Sequence, residues 1–162
     1  MRARRSVNLA LLLAVAGCVG RSAWREQRDA ELPRLEQRVF EGINQQRRNH
    51  GLGGLKWNEK LAQEARRHAR NMAARRFFSH VDPVRGDLIP RLKSGQIQWR
   101  DIGENLCEEE GSENPGEDAI QGWMKSPGHR RNILNKVFTQ TGVGAAFRGD
   151  GTLFIVQEFM RP

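Results

Sequence analysis

The sequence predicts an α+β domain built as a three-layer α/β/α sandwich around a small central antiparallel sheet. Two observations lead to this fold class. Apolar side chains recur at helical spacing in three separate stretches, so each predicted helix has one face to bury. Near the end of the chain the apolar spacing changes to every second residue on both sides of a glycine-rich turn, which predicts a β-hairpin. Helices with a single apolar face can cover both faces of such a sheet.

The chain has the composition of one soluble globular domain, with 162 residues of which 38% are hydrophobic and 28% charged. Residues 1–17 have the features of a secretory signal peptide: three arginines, then an apolar run at 7–16 that is too short to span a bilayer. The run ends in Val-Ala-Gly-Cys, which resembles a bacterial lipobox and implies cleavage before Cys18 and lipidation of that cysteine. A plain signal peptide is the alternative. The residue after Cys18 is Val19 and not an aspartate, which favours an outer-membrane location for the lipidated protein in a cell that has two membranes.

Charge and cysteine content narrow the range of partners. The formal net charge is +8, and loss of the three signal arginines leaves 24 basic and 19 acidic side chains, a net charge of +5. A mildly basic surface favours anionic lipid headgroups or cell-wall polymers. No nucleic-acid-binding motif is present, so we expect no nucleic acid partner. Of the two cysteines, Cys18 is assigned to the lipid, which leaves Cys107 as a small buried hydrophobe in a monomer without disulfides.

The domain is predicted to occupy residues 34–162, after a flexible tether at 18–33 that has no fixed structure. A first helix begins at Arg34, and Gly51 can end it in a left-handed conformation. Its apolar residues recur every four positions, at Leu35, Val39 and Ile43.

A second helix begins after Asn58, a good N-cap residue, with Glu59 in its first turn. One stripe of this helix contains Leu61, Ala65, His68, Met72 and Arg76. His68 could be a ligand, but a histidine among apolar residues favours the role of a hydrogen-bonded core residue.

Two further helices and the hairpin complete the domain. Asp87 can cap a short helix that Gly95 closes, and the sequence Asn-Pro-Gly-Glu at 114–117 predicts a capping box for a third main helix. The acidic residues at 108–113 are predicted to form a surface loop. The final hairpin turns at 149–151, between alternating apolar residues and a β-rich strand.

Three side chains are candidates for a functional site. His80 follows the second helix, Glu104 lies in a glycine-led stretch, and His129 comes three residues after Ser126 at the start of a short helix. Two imidazoles and a carboxylate can hold zinc or a similar divalent ion with an open position, or they can act as general acid and base. Their spacing in sequence does not bring them together, so any convergence depends on the fold.

Several motifs in one order, FFSHVDP, IGENLC, GWMKSPGHRRNIL, TGVGAAF and LFIVQEF, resemble those of the CAP superfamily, also called SCP/PR-1-like. The resemblance covers roughly residues 35 to 160. It implies the α/β/α fold and a central cavity to which His80, Glu104 and His129 contribute. In that family the cavity usually has a second acidic residue, about one turn beyond a tryptophan on the same helix. Here Ser126 stands one turn after Trp123. The resemblance therefore implies that any metal is bound more loosely or has water in place of this carboxylate.

These expectations lead to three hypotheses for function. The first is a lipid-anchored, non-enzymatic protein on the extracytoplasmic side of the cell envelope, which binds a lipid or envelope ligand through the cavity. The second is a metal-assisted hydrolase of peptide or cell-wall substrates that uses His80, Glu104 and His129. The third is a partner-binding scaffold with an inert pocket. The sequence contains no Gly-x-Ser-x-Gly elbow, and Cys107 has no nearby histidine in sequence, so no nucleophile is predicted.

Overall fold

The computed structural model describes the backbone of residues 9–162 and the side chains of residues 23 and 26–162. Its helices are α1 (Leu9–Asn49), α2 (Glu59–Arg75), α3 (Leu88–Ser94), α4 (Pro115–Lys125) and α5 (Pro127–Ile133). Its strands are β1 (Lys56–Trp57), β2 (Asp101–Glu109), β3 (Gln140–Phe147) and β4 (Leu153–Arg161). The residues from Leu32 to Pro162 form one compact unit.

The N-terminal segment differs from the expected unstructured tether. Residues 18–33 belong to α1, because this segment is rich in alanine, leucine, arginine, glutamate and glutamine, which all favour helix. Residues 1–8 and the side chain of Cys18 lie outside the described residues, so the signal peptide, its cleavage and the lipidation stay predictions. Within the described part of the chain, no helix is both long and apolar enough to cross a bilayer.

The four strands form one sheet in the order β1-β3-β4-β2. The predicted hairpin is confirmed as the antiparallel pair β3 and β4. The three long strands pair antiparallel, as predicted, and the two-residue strand β1, which was not predicted, adds one short parallel pair with β3. Strand β2 was not predicted, and it takes in the glycine-led stretch and the first acidic residues of the expected loop. Glycine, asparagine and glutamate have low strand propensity, and pairing along the whole of β4 overrides it.

Helices cover both faces of the sheet, as the predicted α/β/α sandwich requires. Alternate residues of β4 face opposite sides: Phe154 and Val156 pack in the core cluster of α2, whereas Ile155 and Phe159 pack in the cluster formed with α1, α4 and α5. The indole nitrogen of Trp123 donates a hydrogen bond to the carbonyl of Leu106, at 2.8 Å, and so ties α4 to the edge strand β2.

The helix ends follow the predicted chemistry only in part. Asn58 accepts a hydrogen bond from the amide of Leu61, and Gly51 ends α1 with φ +70°, as expected. Asn114 and Ser126 occupy N-cap positions, but neither side chain makes a capping hydrogen bond. Arg76 adopts a left-handed conformation that ends α2, so it does not belong to the buried stripe.

Candidate functional site

The loop that carries His80 is held in place by two side chains, one on α2 before the loop and one just after His80. Nε2 of His68, a fully buried residue of α2, lies 2.9 Å from the carbonyl oxygen of Ser79, which confirms the core interpretation of this histidine. Burial lowers the pKa of His68, so the neutral ring donates to that carbonyl. Asp82 accepts hydrogen bonds from the amides of Val84 and Arg85, at 2.8 and 3.0 Å, and these close the turn after His80.

His80 and Glu104 are in direct contact. Nδ1 of His80 lies 2.8 Å from Oε1 of Glu104, and because an ionised carboxylate only accepts hydrogen bonds, the ring donates its Nδ1 proton. The His80 side chain is 56% exposed, whereas the Glu104 side chain is only 4% exposed. A buried carboxylate therefore orients a largely exposed imidazole. In the neutral ring, Nε2 is left with its lone pair free to accept a hydrogen bond.

Arg91, on α3, holds the other oxygen of Glu104. Its guanidinium pairs with Oε2, and the Arg91 side chain is fully buried. Burial, the largest single influence, would raise the pKa of Glu104. The hydrogen bond from His80 and the charge and hydrogen bond of Arg91 together outweigh it, so the pKa lies below its ordinary value and Glu104 is ionised.

A second buried carboxylate stands beside this group. Glu158 on β4 lies directly opposite Glu104 on β2. Nη1 of Arg91 approaches Oε1 of Glu158 to 3.9 Å, but neither oxygen of Glu158 has a hydrogen-bond partner. Burial and the neighbouring charge of Glu104 raise the pKa of Glu158 well above its ordinary value, against the opposing charge of Arg91. Of the carboxyl groups in the cluster, Glu158 is therefore the one whose protonated form the fold favours.

His129 reaches the same edge of the sheet from α5. Asn105 donates a hydrogen bond to the His129 carbonyl at 3.2 Å, and Asn132 donates to the Glu104 carbonyl at 3.0 Å and to the Asn105 side-chain oxygen at 2.9 Å. These bonds fix α5 against β2, so the two asparagines have a structural role. Burial lowers the pKa of His129, and the charge of His80 lowers it further, so the two imidazoles are within electrostatic reach.

Comparison with known proteins identifies the family. The model of the family described as "CAP: Cysteine-rich secretory protein family" matches residues 40–159. The chain belongs to the CAP family. Over 109 residues it is 38% identical to "Uncharacterized protein YkwD" of Bacillus subtilis and 35% identical to "Uncharacterized membrane protein YlbC" of the same organism. The match covers 67% of this chain in both cases, but only 41% and 31% of the two relatives, so the chain spans well under half of their lengths.

Solved structures show the same fold. An extracellular protein containing an SCP domain from Bacillus anthracis matches with a TM-score of 0.73 and 34% identity, over 81% of this chain and 41% of that chain. An outer surface protein from Borrelia burgdorferi matches with a TM-score of 0.68 over 76% of this chain and 89% of that chain, and its 19% identity supports the fold alone. The predicted fold class of this CAP domain is therefore confirmed.

The predicted zinc ligands of the CAP domain do not form a three-ligand set. Among the described side chains, no group of three or more histidine, cysteine, aspartate or glutamate residues is placed to hold a metal ion. The reason at this site is that both oxygens of Glu104 are engaged, one by His80 and the other by Arg91. Ser126, where a second carboxylate was expected, lies at the junction of α4 and α5. The two imidazoles remain as the donors that a metal could use.

Sequence reasoning missed two charged residues of the CAP domain site. Arg91 was one of many arginines in a helix pattern, and nothing local distinguished it. Glu158 did carry a signal, because it interrupts the apolar run of β4 together with Gln157, and a lone acid in a buried strand is rarely without a role. Cys107 offers no nucleophile, because burial and nearby carboxylates, Glu109 first among them, raise the pKa of its thiol to about 12.

Exposed apolar side chains lie on both sides of His80 in the sequence. The described residues include five exposed large hydrophobic side chains, and four of them lie at 78–89, in and next to the His80 loop. They are Phe78 (47% exposed), Val81 (54%), Val84 (67%) and Ile89 (47%). We call this set the apolar loop patch. Such a concentration beside a polar group is typical of a binding surface.

Replacing Glu158 with glutamine tests the buried cluster through its pH dependence. Because the folded pKa is raised, Glu158 contributes stability that is fully present below its ordinary value of 4.5 and is lost as pH rises towards the folded pKa. Glutamine mimics the protonated acid and removes this loss. We expect Glu158→Gln to match the wild type near pH 4 and to exceed it increasingly above pH 5, by up to about 1.4 kcal/mol per pH unit.

Urea unfolding of both proteins from pH 4 to pH 8 measures this difference. Glu104 and His68 have lowered pKa values, so both make the stability rise with pH in the acid range, which is opposite to the effect of Glu158. These contributions are common to both proteins and cancel in the comparison. Parallel stability profiles for the two proteins would show that Glu158 is ionised in the fold.

Proposed function

We propose that this CAP domain is held on the extracytoplasmic face of a cell membrane and binds an amphiphilic lipid of the envelope. In this proposal the polar end of the lipid meets His80 and His129, and its hydrocarbon meets the apolar loop patch. One observation carries the proposal: an exposed imidazole, oriented by a buried carboxylate, lies in the segment that contains four of the five exposed large apolar side chains among the described residues.

The polar part of the ligand follows from the chemistry of His80. With Nδ1 donating to Glu104, the neutral ring offers Nε2 as an acceptor, which suits a hydroxyl or an ammonium group of a lipid head. Because Glu104 is itself held by Arg91, the ring is already oriented before the ligand arrives. Such preorganisation lowers the entropy cost of binding.

The apolar part of the ligand follows from the patch. Its four side chains are between 47% and 67% exposed, and covering that area contributes on the order of 1 kcal/mol per side chain. The sum, on the order of 4 kcal/mol, is large enough to contribute substantially to weak lipid binding, but the patch alone does not select a lipid. Selectivity then depends on the histidines.

The proposed location draws on the lipobox and on the relatives. Lipidation at Cys18 would keep the domain close to membrane lipid. The Bacillus anthracis structure is of an extracellular protein, and one Bacillus subtilis relative is named a membrane protein. Both descriptions are compatible with a domain that works outside the cytoplasm at a membrane.

Sedimentation with vesicles tests the proposal. The chain from residue 18, with Cys18→Ser to prevent lipidation, is mixed with neutral vesicles of phosphatidylethanolamine and phosphatidylcholine. We expect binding that His80→Ala weakens about tenfold and that Val81→Ser with Val84→Ser weakens at least as much. Val137→Ser is the matched control, because Val137 is similarly exposed but lies outside the patch. Equal binding by all variants, or an equal loss in the control, would contradict the proposal.

A metal-assisted hydrolase of peptide or cell-wall substrates is the second candidate. The observation in its favour is the His80–Glu104 pair, because a carboxylate that accepts from one ring nitrogen orients the other nitrogen of the imidazole as a metal ligand. The imidazoles of His80 and His129 would hold the metal, Glu104 would orient the first of them, and the metal would supply an activated water. Calorimetric zinc binding that is lost in both His80→Ala and His129→Ala, together with turnover, would favour this candidate over lipid binding. An inert scaffold would show neither.

A further inference from the structure

A pocket of the domain lies away from the histidine site and has basic groups in its lining. It has a volume of about 580 Å³ and is formed by the end of α1, the glycine-rich loop that follows it, and the segment leading into β3. Three of its lining residues are cationic, Arg47, Lys56 and Lys136, and none of the residues that line it is acidic. No residue of the histidine site or of the apolar loop patch belongs to its lining.

Arg47 places a positive charge under this pocket without a matching carboxylate. Its side chain is buried, and no described acidic residue pairs with it. Four of its five N–H groups donate to backbone carbonyl oxygens, those of Gly53, Ile133, Asn135 and Phe138, at 2.9, 2.7, 2.9 and 3.4 Å. Neutral carbonyls satisfy the hydrogen bonds of a guanidinium but leave its charge uncompensated. Burial lowers the pKa of Arg47, because a charged guanidinium is less well solvated inside the domain than in water.

The rim of the pocket adds further donors. Lys56 and Lys136 are exposed, and neither forms a salt bridge with any described carboxylate. The amides of Gly53 and Gly54 have no acceptor among the described residues, and both glycines line the pocket. The hydroxyl of Thr139 is also on the lining. The pocket therefore has two ammonium groups without a salt-bridge partner, two amides without an acceptor, a hydroxyl and a guanidinium without a counter-charge.

We propose that this pocket binds a phosphate group. Phosphate accepts several charge-assisted hydrogen bonds at once, and lysine ammonium groups with free backbone amides are the donors that proteins use to hold it. The phosphate could be that of a soluble phosphate ester or that of an anionic lipid head, and the chemistry of recognition is the same. The volume leaves room for a glycerol phosphate unit rather than the bare anion alone.

The test uses amide NMR and calorimetry to measure the binding of sn-glycerol 3-phosphate to the Cys18→Ser chain from residue 18. We expect saturable binding with shifts at Gly53, Gly54 and Thr139, weakened at least tenfold in Lys56→Gln with Lys136→Gln. The matched control is Lys93→Gln with Lys125→Gln, which removes the same charge from exposed positions elsewhere. Arg47 is left intact, because four backbone carbonyls depend on it.

A parallel arm uses vesicles that contain phosphatidylglycerol and so separates the two sources. Competition between glycerol phosphate and these vesicles, with both lost in the pocket variant, would support a site open to soluble esters. Binding to vesicles alone, lost in the pocket variant and kept in the control, would support a lipid headgroup site. No saturable binding in either arm, or the same loss in pocket and control variants, would overturn the proposal.

Discussion

Glu104→Ala is expected to destabilise the domain by about 3 kcal/mol, because it leaves the buried guanidinium of Arg91 without its main partner. Arg91→Met should cost a similar amount, since it leaves the buried carboxylate of Glu104 unpaired on that side. Replacing both residues removes both buried charges. The double variant should therefore be much more stable than the sum of the two single effects predicts.

Glu158 limits the cost of losing Glu104. Its pKa is raised partly by the charge of Glu104, and Nη1 of Arg91 lies 3.9 Å from its Oε1. When Glu104 is removed, Glu158 can ionise and take over part of the pairing with Arg91. The loss should therefore lie at the lower end of the roughly 3–5 kcal/mol that breaking a buried ion pair costs, and it should grow in a Glu158→Gln background.

Urea unfolding of the single and double variants measures this coupling. The exposed pair of Arg161 and Asp101 is the control, because its side chains are 45% and 41% exposed and Asp101→Ala should cost below about 1 kcal/mol. Additive effects of Glu104→Ala and Arg91→Met would show that the two side chains do not stabilise each other. His80 would then lack the rigid support inferred for it.

Gly144→Ala is expected to destabilise the domain by about 3 kcal/mol or more. A β-carbon on residue 144 would lie 2.0 Å from the amide nitrogen of Arg66 and 2.4 Å from the carbonyl carbon of Ala65. Both atoms belong to the backbone of α2, so no side-chain rotation can relieve the clash, and the helix must move away from β3. Overpacking of a core usually costs about 1–3 kcal/mol, and a clash with helix backbone belongs at the upper end or above.

Gly122→Ala is the matched control for this change. Nothing lies within 4 Å of the position that its β-carbon would occupy, and the residue is exposed on α4. Alanine there should stabilise the domain by about 0.5–1 kcal/mol, because glycine is a poor helix former. Thermal unfolding of the two variants provides the comparison. A Gly144→Ala protein as stable as the wild type would mean that α2 does not pack against β3 as closely as described.

The position of α2 also affects the candidate site. His68 on this helix bonds the carbonyl of Ser79, the residue next to His80. A shift of α2 would therefore move the His80 loop relative to Glu104. The packing of a glycine-containing strand against a helix thus contributes to the geometry of a surface imidazole.

Much of the fold follows from local sequence signals. The helical spacing of Leu35, Val39 and Ile43, the cap at Asn58 and the turn between β3 and β4 are properties of short segments, and each was predicted from the segment alone. Strand β2 was not predictable in this way. Its residues have weak strand propensity, and they form a strand because β4 offers a complete set of backbone partners.

Three members of the site were predicted from the sequence, but Arg91, Glu158 and the connections between the residues were not. His80, Glu104 and His129 were identified through motifs, yet the ion pair of Glu104 with Arg91 joins residues on different elements, and no spacing in the sequence reveals it. The same ion pair explains why Glu104 supports His80 rather than offering itself as a free metal ligand. Long-range pairing of charges is decided by the assembled fold.

NMR of the imidazoles and methyl groups during a lipid titration tests the proposed function most directly. The Cys18→Ser chain from residue 18 is titrated with a short-chain phosphatidylethanolamine below its micelle concentration. We expect the His80 and His129 ring resonances to shift together with the methyl resonances of Val81 and Val84, at one common affinity, while Val137 stays unchanged. Shifts confined to the methyl groups, or no saturable shift at His80, would contradict lipid binding at this site.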